Sequence, residues 1–433
     1  MTTQTSVSNS AQAAAERFLA LNSGNLAAYL ESCVKCGNCA TACHFYEVTG
    51  DPKYTPAYKL FPMAKAHRKT MWPWKWFGGP KITEEDLQEW EELLFDSCTM
   101  CGRCTQVCPM GIDIASIVAA SRQAFAAAGR GPEDFMKAAD NVRDKGSPLG
   151  VTPAVFDGRV EWLEDDYEVE LPLDKDKAEV LLTVSSIELM KYPKSIVAMA
   201  RLMNQAGVDW TFSTKGYEAT NFGFLAGKPD IARLAIDRLV DTAEEIGAKI
   251  LVIPECGHAY GVLRWSGANI LGRPLPFQVM HITEYLSQLK KEGKLKFNPI
   301  EGSITYHDPC QISRRGGATQ AARHLLEDAV DFREMTPTGD FNWCCGGGGG
   351  VQAMERAADL RHKVFQIKMK QVEDTGADMM ISACANCRLT MDGSKNYWKW
   401  DRELESLVEL LAEHLIEDDP HPFDAKPHLA TNV

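Results

Sequence analysis

Apolar positions along the chain follow two different periodicities, and the pattern changes near residue 178. Before that point apolar residues recur at helical spacing, as in ITEEDLQEWEELLFDS, where they fall at Ile82, Leu87, Trp90, Leu93 and Leu94. Thr83 and Asp86 have the spacing of a capping box, and Asp113 stands where it can cap the run IDIASIVAASRQAFAAAG. The first part of the chain is therefore predicted to be helical.

After residue 178 the chain alternates short apolar runs with longer helical stretches. AEVLLTVSS, VDWTFS and KILVIP are predicted strands, with a helix in IARLAIDRLVDTAEEIG. SITYHDPC, DFREM and ADMMISAC repeat the order, with helices around AARHLLEDAV and VQAMERAADLRHKVFQIKMKQVEDTG. Such alternation favours parallel α/β units, and the match of IGAKILVIPEC to TGADMMISAC indicates an internal duplication. We predict an α+β multidomain chain: helical residues 1–150, a first α/β repeat at 151–290 and a second at 291–433.

Composition excludes several classes of protein. The 433 residues are 45% hydrophobic, enough for two or three domains with real cores, and no apolar run reaches 18 residues. The net charge of −13 repels phosphate backbones, so we expect no nucleic-acid partner. The N-terminus lacks the pattern of a signal peptide and is expected to be a frayed tail before a helix, which predicts a cytoplasmic protein.

Eight of the 14 cysteines form two runs with the spacing C-x2-C-x2-C-x3-C. They are Cys33, Cys36, Cys39 and Cys43, then Cys98, Cys101, Cys104 and Cys108. Three thiolates so spaced surround one [4Fe–4S] cubane, and in two-cluster proteins the fourth cysteine of each run ligates the other cluster. We therefore predict one cubane on Cys33, Cys36, Cys39 and Cys108 (set A) and another on Cys98, Cys101, Cys104 and Cys43 (set B).

Zinc is the alternative for these eight thiols, but zinc sites favour paired C-x2-C units. Pro109 follows the second run in the usual way, whereas His44 takes that place in the first. The helical segments between and after the runs make this part similar to the α-helical ferredoxin domain of fumarate reductase iron–sulfur subunits.

Five further cysteines have a different spacing, C-x33-C-C-x38-C-x2-C, at Cys310, Cys344, Cys345, Cys384 and Cys387 (set C). Cys310 and Cys384 follow predicted strands, where open α/β sheets form ligand sites. Five thiolates exceed the needs of one ordinary cubane, and the glycines from Gly346 to Gly350 would let the backbone approach a bulky inorganic group. Structural or zinc-binding cysteines are the alternative, although an adjacent Cys–Cys pair suits zinc poorly.

Set C resembles the CCG cysteine-rich motif of the B and D subunits of heterodisulfide reductase. The D subunit also joins two cubane motifs to cysteine-rich domains. The resemblance implies that set C holds a noncubane [4Fe–4S] cluster that cleaves disulfides. PECGHAYG, HDPC and NWCCGGGGG look most like the DsrK-type subunits of the DsrMKJOP membrane complex of sulfur metabolism. This chain departs from the family pattern because its first repeat keeps only Cys256 of that motif.

The resemblance also implies a setting for the protein. Its partners would be a membrane cytochrome b-type subunit, other iron–sulfur or cytochrome subunits, and a small sulfur-carrier protein or thiol/disulfide substrate. The chain would then be cytoplasmic and attached peripherally to the inner membrane through those subunits. We expect electrons to pass between quinone and a disulfide or trisulfide. The alternative is an electron-transfer subunit of a flavoprotein 2-hydroxy acid or glycerol-3-phosphate dehydrogenase, whose pattern has two complete CCG motifs.

Several residues outside the three cysteine sets are candidates for the site. Cys256 is either a buried relic or a contact for the cluster or its sulfur substrate, with His258 structural or supplying a proton. His307 and Asp308 are candidates for orienting the loop of Cys310. The adjacent Arg314 and Arg315 either are solvated surface charges or balance an anionic cluster or acidic partner.

A tryptophan-rich insert, MWPWKWFGGP, occupies residues 71–80. Its two prolines exclude a regular helix. We expect this insert to fold back over a cluster and shield it. The alternative is a docking surface, because tryptophan is enriched at contact hot spots and membrane interfaces.

Overall fold

The computed structural model describes residues 3–22 and 24–417, so the final segment of the predicted second repeat lies outside the described residues. The N-terminal part is helical, as its apolar spacing predicted. Its helices are α1 Thr3–Leu21, α2 Gly24–Ser32, α3 His44–Thr49, α4 Phe61–Arg68, α5 Glu84–Glu91, α6 Arg103–Gln106, α7 Ile114–Ala127, α8 Glu133–Lys145 and α9 Pro153–Tyr167. Short 3-10 turns lie at Ala40–Ala42, Pro52–Tyr54, Pro56–Leu60 and Trp74–Trp76, and α5 continues into a π-helical turn at Glu92–Asp96.

Local hydrogen bonds explain where two of these helices begin. The Thr83 backbone N–H donates to Asp86 Oδ2 at 2.8 Å and the Asp86 N–H donates to Thr83 Oγ1 at 3.3 Å, which is the predicted capping box at the start of α5. Asp113 Oδ1 accepts from the Ser116 N–H at 3.2 Å and caps α7. The expected frayed N-terminal tail is wrong for the described residues, because α1 is helical from Thr3 and buries Phe18.

Two parallel four-stranded sheets follow, with the same topology. The first contains β1 Val180–Leu182, β2 Trp210–Thr211, β3 Ile250–Ile253 and β4 Gln278–His281 in the order β2-β1-β3-β4. The second contains β5 Ser303–His307, β6 Asp331–Phe332, β7 Met379–Ser382 and β8 Glu403–Ser406 in the order β6-β5-β7-β8. The equivalent strand order supports the duplication inferred from sequence.

Helices connect and cover the sheets. They are α10 Ser186–Lys191, α11 Pro193–Gln205, α12 Phe222–Ala226, α13 Pro229–Ile246, α14 Gly257–Gly261, α15 Gly267–Leu271, α16 Ile282–Lys291, α17 Thr319–Leu326, α18 Ala358–Thr375, α19 Ala385–Trp398 and α20 Leu407–Glu413. Among the described residues, no helix combines the length and apolar character needed to cross a bilayer.

The carboxyl ends of the two sheets meet. The backbone N–H of Ala385, just after β7, donates to the carbonyl of Glu255, just after β3, at 2.7 Å. The buried Glu255 carboxyl group accepts from Ser406 Oγ at 2.8 Å at the end of β8. One hydrophobic core, including Leu182 and Ile381, runs through both repeats. Because parallel strands present their ligand-binding ends at one edge, this contact places the loops of both repeats around a common site.

Two features differ from what the sequence pattern predicted. The outer strands β4 and β8 were not predicted; β8 alternates charged and uncharged residues over only four positions. The insert at 71–80 does not shield a cluster: Trp72 is 81% exposed, Trp74 51%, Trp76 80% and Phe77 82%. The shielding expectation is therefore wrong, because the rings point away from the protein body.

Candidate functional site

The two cysteine runs of the helical part lie side by side and exchange their fourth members. Cys33, Cys36 and Cys39 line one pocket together with Cys108 of the other run. Cys98, Cys101 and Cys104 line a second pocket together with Cys43. The structure thus groups the thiols as sets A and B. Cys36 is exposed, whereas Cys98 in set B is buried, so set A is the nearer of the two to solvent.

The loops that carry these thiols need unusual backbone conformations. Gly37 and Gly102 adopt positive φ values of 84° and 75°. Each lies between the second and third cysteines of its run, where the chain turns around the pocket. Glycine adopts this conformation without a Cβ clash, which is the physical reason for its place in both runs.

The surroundings of set B fit an anionic metal cluster. Lys59 is only 2% exposed, and its one hydrogen bond in the described part of the chain is to Ser97 Oγ at 3.4 Å. His44 lines the set B pocket, and neither of its buried ring nitrogens has a hydrogen-bond partner among the described residues. Buried cations and imidazoles rarely lack partners. A negatively charged group with sulfur acceptors would satisfy both.

The five thiols of set C are all buried and come together from three loops. Cys310 follows β5, Cys344 and Cys345 follow a 3-10 turn at Gly339–Phe341, and Cys384 and Cys387 lie at the start of α19. The side chain of Cys344 contacts those of Cys310 and Cys345. Cys345 and Cys384 in turn both contact Cys387. The structure therefore joins all five cysteines into one chain of sulfur atoms.

Electrostatics favour thiolate at part of this set. Hydrogen bonds from Cys344 and Cys387, with a further bond from the Gly347 N–H, hold the pKa of Cys345 well below its usual value. The pKa of Cys384 is also lowered, by Cys387 and then by backbone N–H groups that include that of Gly257. Gly257 belongs to the first repeat, so that repeat contributes to the site although it has lost most of its cysteines. Thiolates are the form that binds iron.

His307 and Lys368 complete the buried surroundings of set C. A ring nitrogen of His307 and the sulfurs of Cys345 and Cys387 lie within 4.8 Å of one another. Both ring nitrogens of His307 lack a hydrogen-bond partner among the described residues. Lys368 Nζ is fully buried and donates to Asn342 Oδ1 and Gln371 Oε1, each at 2.7 Å. Burial lowers the pKa of Lys368 to about 7.

His307 and Lys368 fit an anionic cluster at set C for the same reason that Lys59 and His44 fit one at set B. In the described part of the chain Lys368 forms no ion pair with a carboxylate, and the buried imidazole of His307 lies beside two thiols with no acceptor of its own. Both would be stabilised by an anionic cluster on the five sulfurs. Sequence reasoning named His307 but missed Lys368, because this lysine lies in the middle of α18, far along the chain from Cys345 before it and Cys384 after it.

Asp308 and the two arginines after Cys310 hold the loop in place. Asp308 pairs with Arg323 at 2.9 Å and accepts from the Gly339 N–H at 2.8 Å. Arg314 is buried and donates to the carbonyl of Cys101 at 3.0 Å. Arg315 pairs with Asp113 at 3.1 Å. Both arginines therefore bind the helical part, and neither is a free surface charge.

Sets B and C are in contact. The side chain of Cys101 in set B contacts that of Cys344 in set C. Gln311 Nε2 also donates to the Met100 carbonyl at 3.0 Å. The glycines at 348–350 allow this approach: a Cβ on Gly349 would lie 2.8 Å from the Cys98 carbonyl oxygen. The glycine run thus serves close packing against the set B loop, a reason that the sequence did not reveal.

A cavity of about 650 Å³ opens onto set C, and Cys310, Cys345, Cys384 and Cys387 line it. Cys256 and His258, which follow β3, line the same cavity. His258 Nε2 lies 2.9 Å from the Asn221 carbonyl, and burial lowers the pKa of this imidazole to about 4. Because the carbonyl must accept from Nε2–H, the neutral ring leaves Nδ1 as an acceptor.

Cys256 differs from the five thiols of set C. It is 6% exposed, its nearest hydrogen-bonding side chain is Thr220, with Oγ1 at 3.8 Å, and burial raises its pKa. Cys384 is close enough to raise this pKa further. Cys256 therefore lies at the edge of the set C sulfurs as a protonated thiol.

Arg122 is a structural residue of the site that sequence reasoning missed. Its guanidinium is fully buried and, within residues 3–22 and 24–417, bonds only to backbone carbonyls, at Leu94, Cys98, Leu225 and Gly349, with distances of 2.7–3.3 Å. These carbonyls belong to the helical part, the first repeat and the glycine run of the second. Its partners are up to 227 residues away in sequence, so no local pattern marks it.

Comparison with known proteins agrees with this arrangement. Residues 29–112, which contain the two runs, match the family model of the 4Fe-4S dicluster domain. Residues 304–392, which contain set C, match the model of the cysteine-rich domain named CCG.

Matches to whole proteins extend over most of the chain. It is 31% identical over 399 residues to the D subunit of dihydromethanophenazine:CoB--CoM heterodisulfide reductase from Methanosarcina mazei, covering 89% of this chain and 94% of that one. The corresponding protein of Methanosarcina barkeri is 29% identical over 418 residues, covering 93% and 98%. The Hdr-like menaquinol oxidoreductase iron-sulfur subunit of Archaeoglobus profundus is 25% identical over 447 residues, covering 90% and 80%.

Proposed function

The chain belongs to the family of iron–sulfur proteins that includes the D subunit of heterodisulfide reductase, and on that premise we propose that it carries electrons between a quinone-linked membrane cytochrome b partner and a disulfide or trisulfide substrate. It is a heterodisulfide reductase-like oxidoreductase subunit. The observation that carries the proposal is the contact of Cys101 with Cys344. It joins a ferredoxin-type site to a five-thiol site that opens onto a cavity.

We assign the thirteen thiols of the three sets to three clusters. Sets A and B would each hold a [4Fe–4S] cubane, and set C a noncubane [4Fe–4S] cluster. The pockets shared by Cys43 and Cys108 with the opposite runs support the first two assignments. The convergence of five buried thiols beside His307 and Lys368 supports the third. When bound, these groups would store and pass single electrons and bind a substrate sulfur at set C.

The order of the three sets suggests a direction through the molecule. Set A has an exposed cysteine, Cys36, and is the place where a partner's electrons can enter. Set B shares its ligand loops with set A and touches set C through Cys101. Set C lies deepest and opens onto the cavity. Reduction of a disulfide takes up two electrons and two protons and releases two thiols, and the same path serves the reverse reaction.

The cavity supports a sulfur substrate on a large carrier. Exposed apolar side chains surround its opening, at Leu149, Met190 and Trp265. Within it, the neutral His258 would accept a thiol proton at Nδ1 and return it when the disulfide is reduced. Cys256 would contact the substrate sulfur from the opposite repeat. The resemblance to DsrK-type subunits makes a small sulfur-carrier protein the candidate partner.

Paramagnetic resonance of the oxidised protein with and without a thiol tests the proposal. We expect thiol addition to produce a new signal that Cys345→Ser abolishes. Cys256→Ser is the matched control: it should keep the signal but require more thiol, because Cys256 is a substrate contact and not an iron ligand in this assignment. If no thiol produces a signal in the oxidised protein although the reduced protein shows both cubane signals, the chain is an electron conduit for a flavoprotein and the proposal fails.

A further inference from the structure

The residues at 71–80, here called the aromatic loop, present four large aromatic side chains to solvent. Trp72, Trp76 and Phe77 are each at least 80% exposed, and Trp74 is 51% exposed. Single exposed apolar residues are ordinary on a protein surface, but a group of adjacent ones marks an interaction site. Nothing in the proposed electron path uses this loop.

The aromatic loop has a defined backbone. The Lys75 N–H donates to the Met71 carbonyl at 2.8 Å, and the Phe77 N–H donates to that of Trp74 at 3.1 Å, which forms the 3-10 turn at its tip. Its base closes tightly on the end of α4, since a Cβ on Gly79 would lie 2.8 Å from Lys69 Cγ. The rings are therefore held outward by a folded turn, which lowers the entropy that binding would otherwise cost.

The segment that carries the aromatic loop has a charge opposite in sign to that of the whole protein. Residues 52–83 contain seven lysines and arginines and no aspartate or glutamate, in a chain of net charge −13. Lys53 and Lys65 pair with Glu92 and Asp86, and Lys59 is buried. The other four, Arg68, Lys69, Lys75 and Lys81, form no ion pair within the part of the chain that the structure describes.

We propose that the aromatic loop inserts into the interface of an anionic lipid bilayer. Tryptophan favours the headgroup level, where its ring is apolar and its N–H remains hydrated. Unpaired lysines and arginines beside it are attracted to the negative headgroups. A projecting tip of aromatic rings within a basic segment fits such a surface, whereas protein hot spots are pockets and centres of flatter patches. The contact would be direct, in addition to any attachment through partner subunits.

This contact would set the orientation of the electron path. Ala57 and Leu60, just before α4, line the set A pocket, so one short helix separates that pocket from the aromatic loop. Val34 and Met110 next to the set A thiols are 76% and 55% exposed. When the aromatic loop is bound to the membrane, set A therefore lies nearest to the bilayer. The set C cavity then lies farther from the bilayer, beyond set B.

Flotation of the intact, anaerobically prepared protein with lipid vesicles tests the proposal. The two vesicle types are phosphatidylcholine alone and phosphatidylcholine with phosphatidylglycerol. We expect binding to the anionic vesicles that weakens at high salt, falls on the order of tenfold or more in Lys75→Glu, and is lost in the double variant Trp72→Ala/Trp76→Ala. Lys363→Glu and Trp162→Ala, exposed residues on α18 and α9, are matched controls and should bind as the unaltered protein does.

Three results would overturn this inference. The first is no flotation of the unaltered protein with either vesicle type, and the second is binding that the loop variants do not weaken. The third is binding to native membranes that disappears after their proteins are digested, without binding to lipid vesicles, which would assign the loop to a protein partner. Cluster absorbance in each variant shows that the fold is kept, and none of these results bears on thiol binding at set C.

Discussion

Replacing Arg122 with methionine removes the buried guanidinium that joins three parts of the chain. Methionine is apolar and unbranched and fills much of the same space beside Phe95 and Phe135, whose rings lie 4.7 and 5.6 Å from the guanidinium carbon. The change therefore removes charge and hydrogen bonds with little loss of packing. The carbonyls of Leu94 and Gly349, among others, are left without this donor.

The magnitude follows from the number of acceptors. Arg122 donates to four carbonyls, and a buried acceptor left unsatisfied loses about 1–1.5 kcal/mol, which gives about 4–6 kcal/mol. The methionine variant also avoids the desolvation of a buried cation, which in the unaltered protein lowers the pKa of Arg122 to about 10. We therefore expect a net loss of about 3 kcal/mol in the free energy of unfolding.

Anaerobic guanidinium denaturation followed by circular dichroism measures this loss. The control is Arg233→Met on α13, where a half-exposed arginine pairs with Asp237 and the expected loss is about 1 kcal/mol or less. The Arg122 variant should also become sensitive to proteolysis near the glycine run, since Gly349 loses its link to the helical part. If Arg122→Met unfolds with the same midpoint as Arg233→Met, the assigned role of this guanidinium is wrong.

Three further outcomes follow from the described contacts. Cys108→Ser should disturb the cubane signal of set A and Cys43→Ser that of set B in paramagnetic resonance of the reduced protein; the reverse pattern would refute the exchange of fourth ligands. Lys368→Met should shift the midpoint potential of the set C site to more negative values in a redox titration, because a buried cation stabilises the reduced form, whereas the exposed Lys370→Met should leave it unchanged. Burial raises the pKa of Glu255 from 4.5 to about 8. The neutral carboxyl group therefore contributes to the free energy of unfolding at low pH, and this contribution is lost as the pH rises through that range. Between about pH 5 and 9 the unaltered protein should lose a few kcal/mol of stability relative to Glu255→Gln. Equal pH slopes in denaturation would contradict it.

Local pattern predicted the elements that bury a continuous apolar face. KILVIP became β3 and ADMMISAC contains β7, because a parallel strand covered on both faces must be apolar along its whole length. The edge strand β8 escaped prediction for the same reason. Its residues, Glu403 to Ser406, are mostly only partly buried and lack that apolar run.

The exposed aromatic loop shows a different limit of sequence reasoning. Four aromatic residues close together favour burial when composition alone is considered, and we expected them to cover a cluster. The turn at Trp74–Trp76 instead directs the rings outward. Only the path of the backbone decides on which side of a loop the side chains lie, and that path depends on how its base packs against the end of α4.

The amino-acid sequence by itself determined which atoms are available for metal chemistry. The spacing of the thiols in the two runs is a local property, since a ligand loop around a cluster is only a few residues long, whereas the thiols of set C lie on three separate loops. Tertiary structure decided how the sets are connected. In the folded chain Cys101 contacts Cys344, and Lys59 and Lys368 lie beside the thiols. Arg122 donates hydrogen bonds to carbonyls in three parts of the chain. These contacts join residues far apart in sequence, and burial and electrostatics act through space.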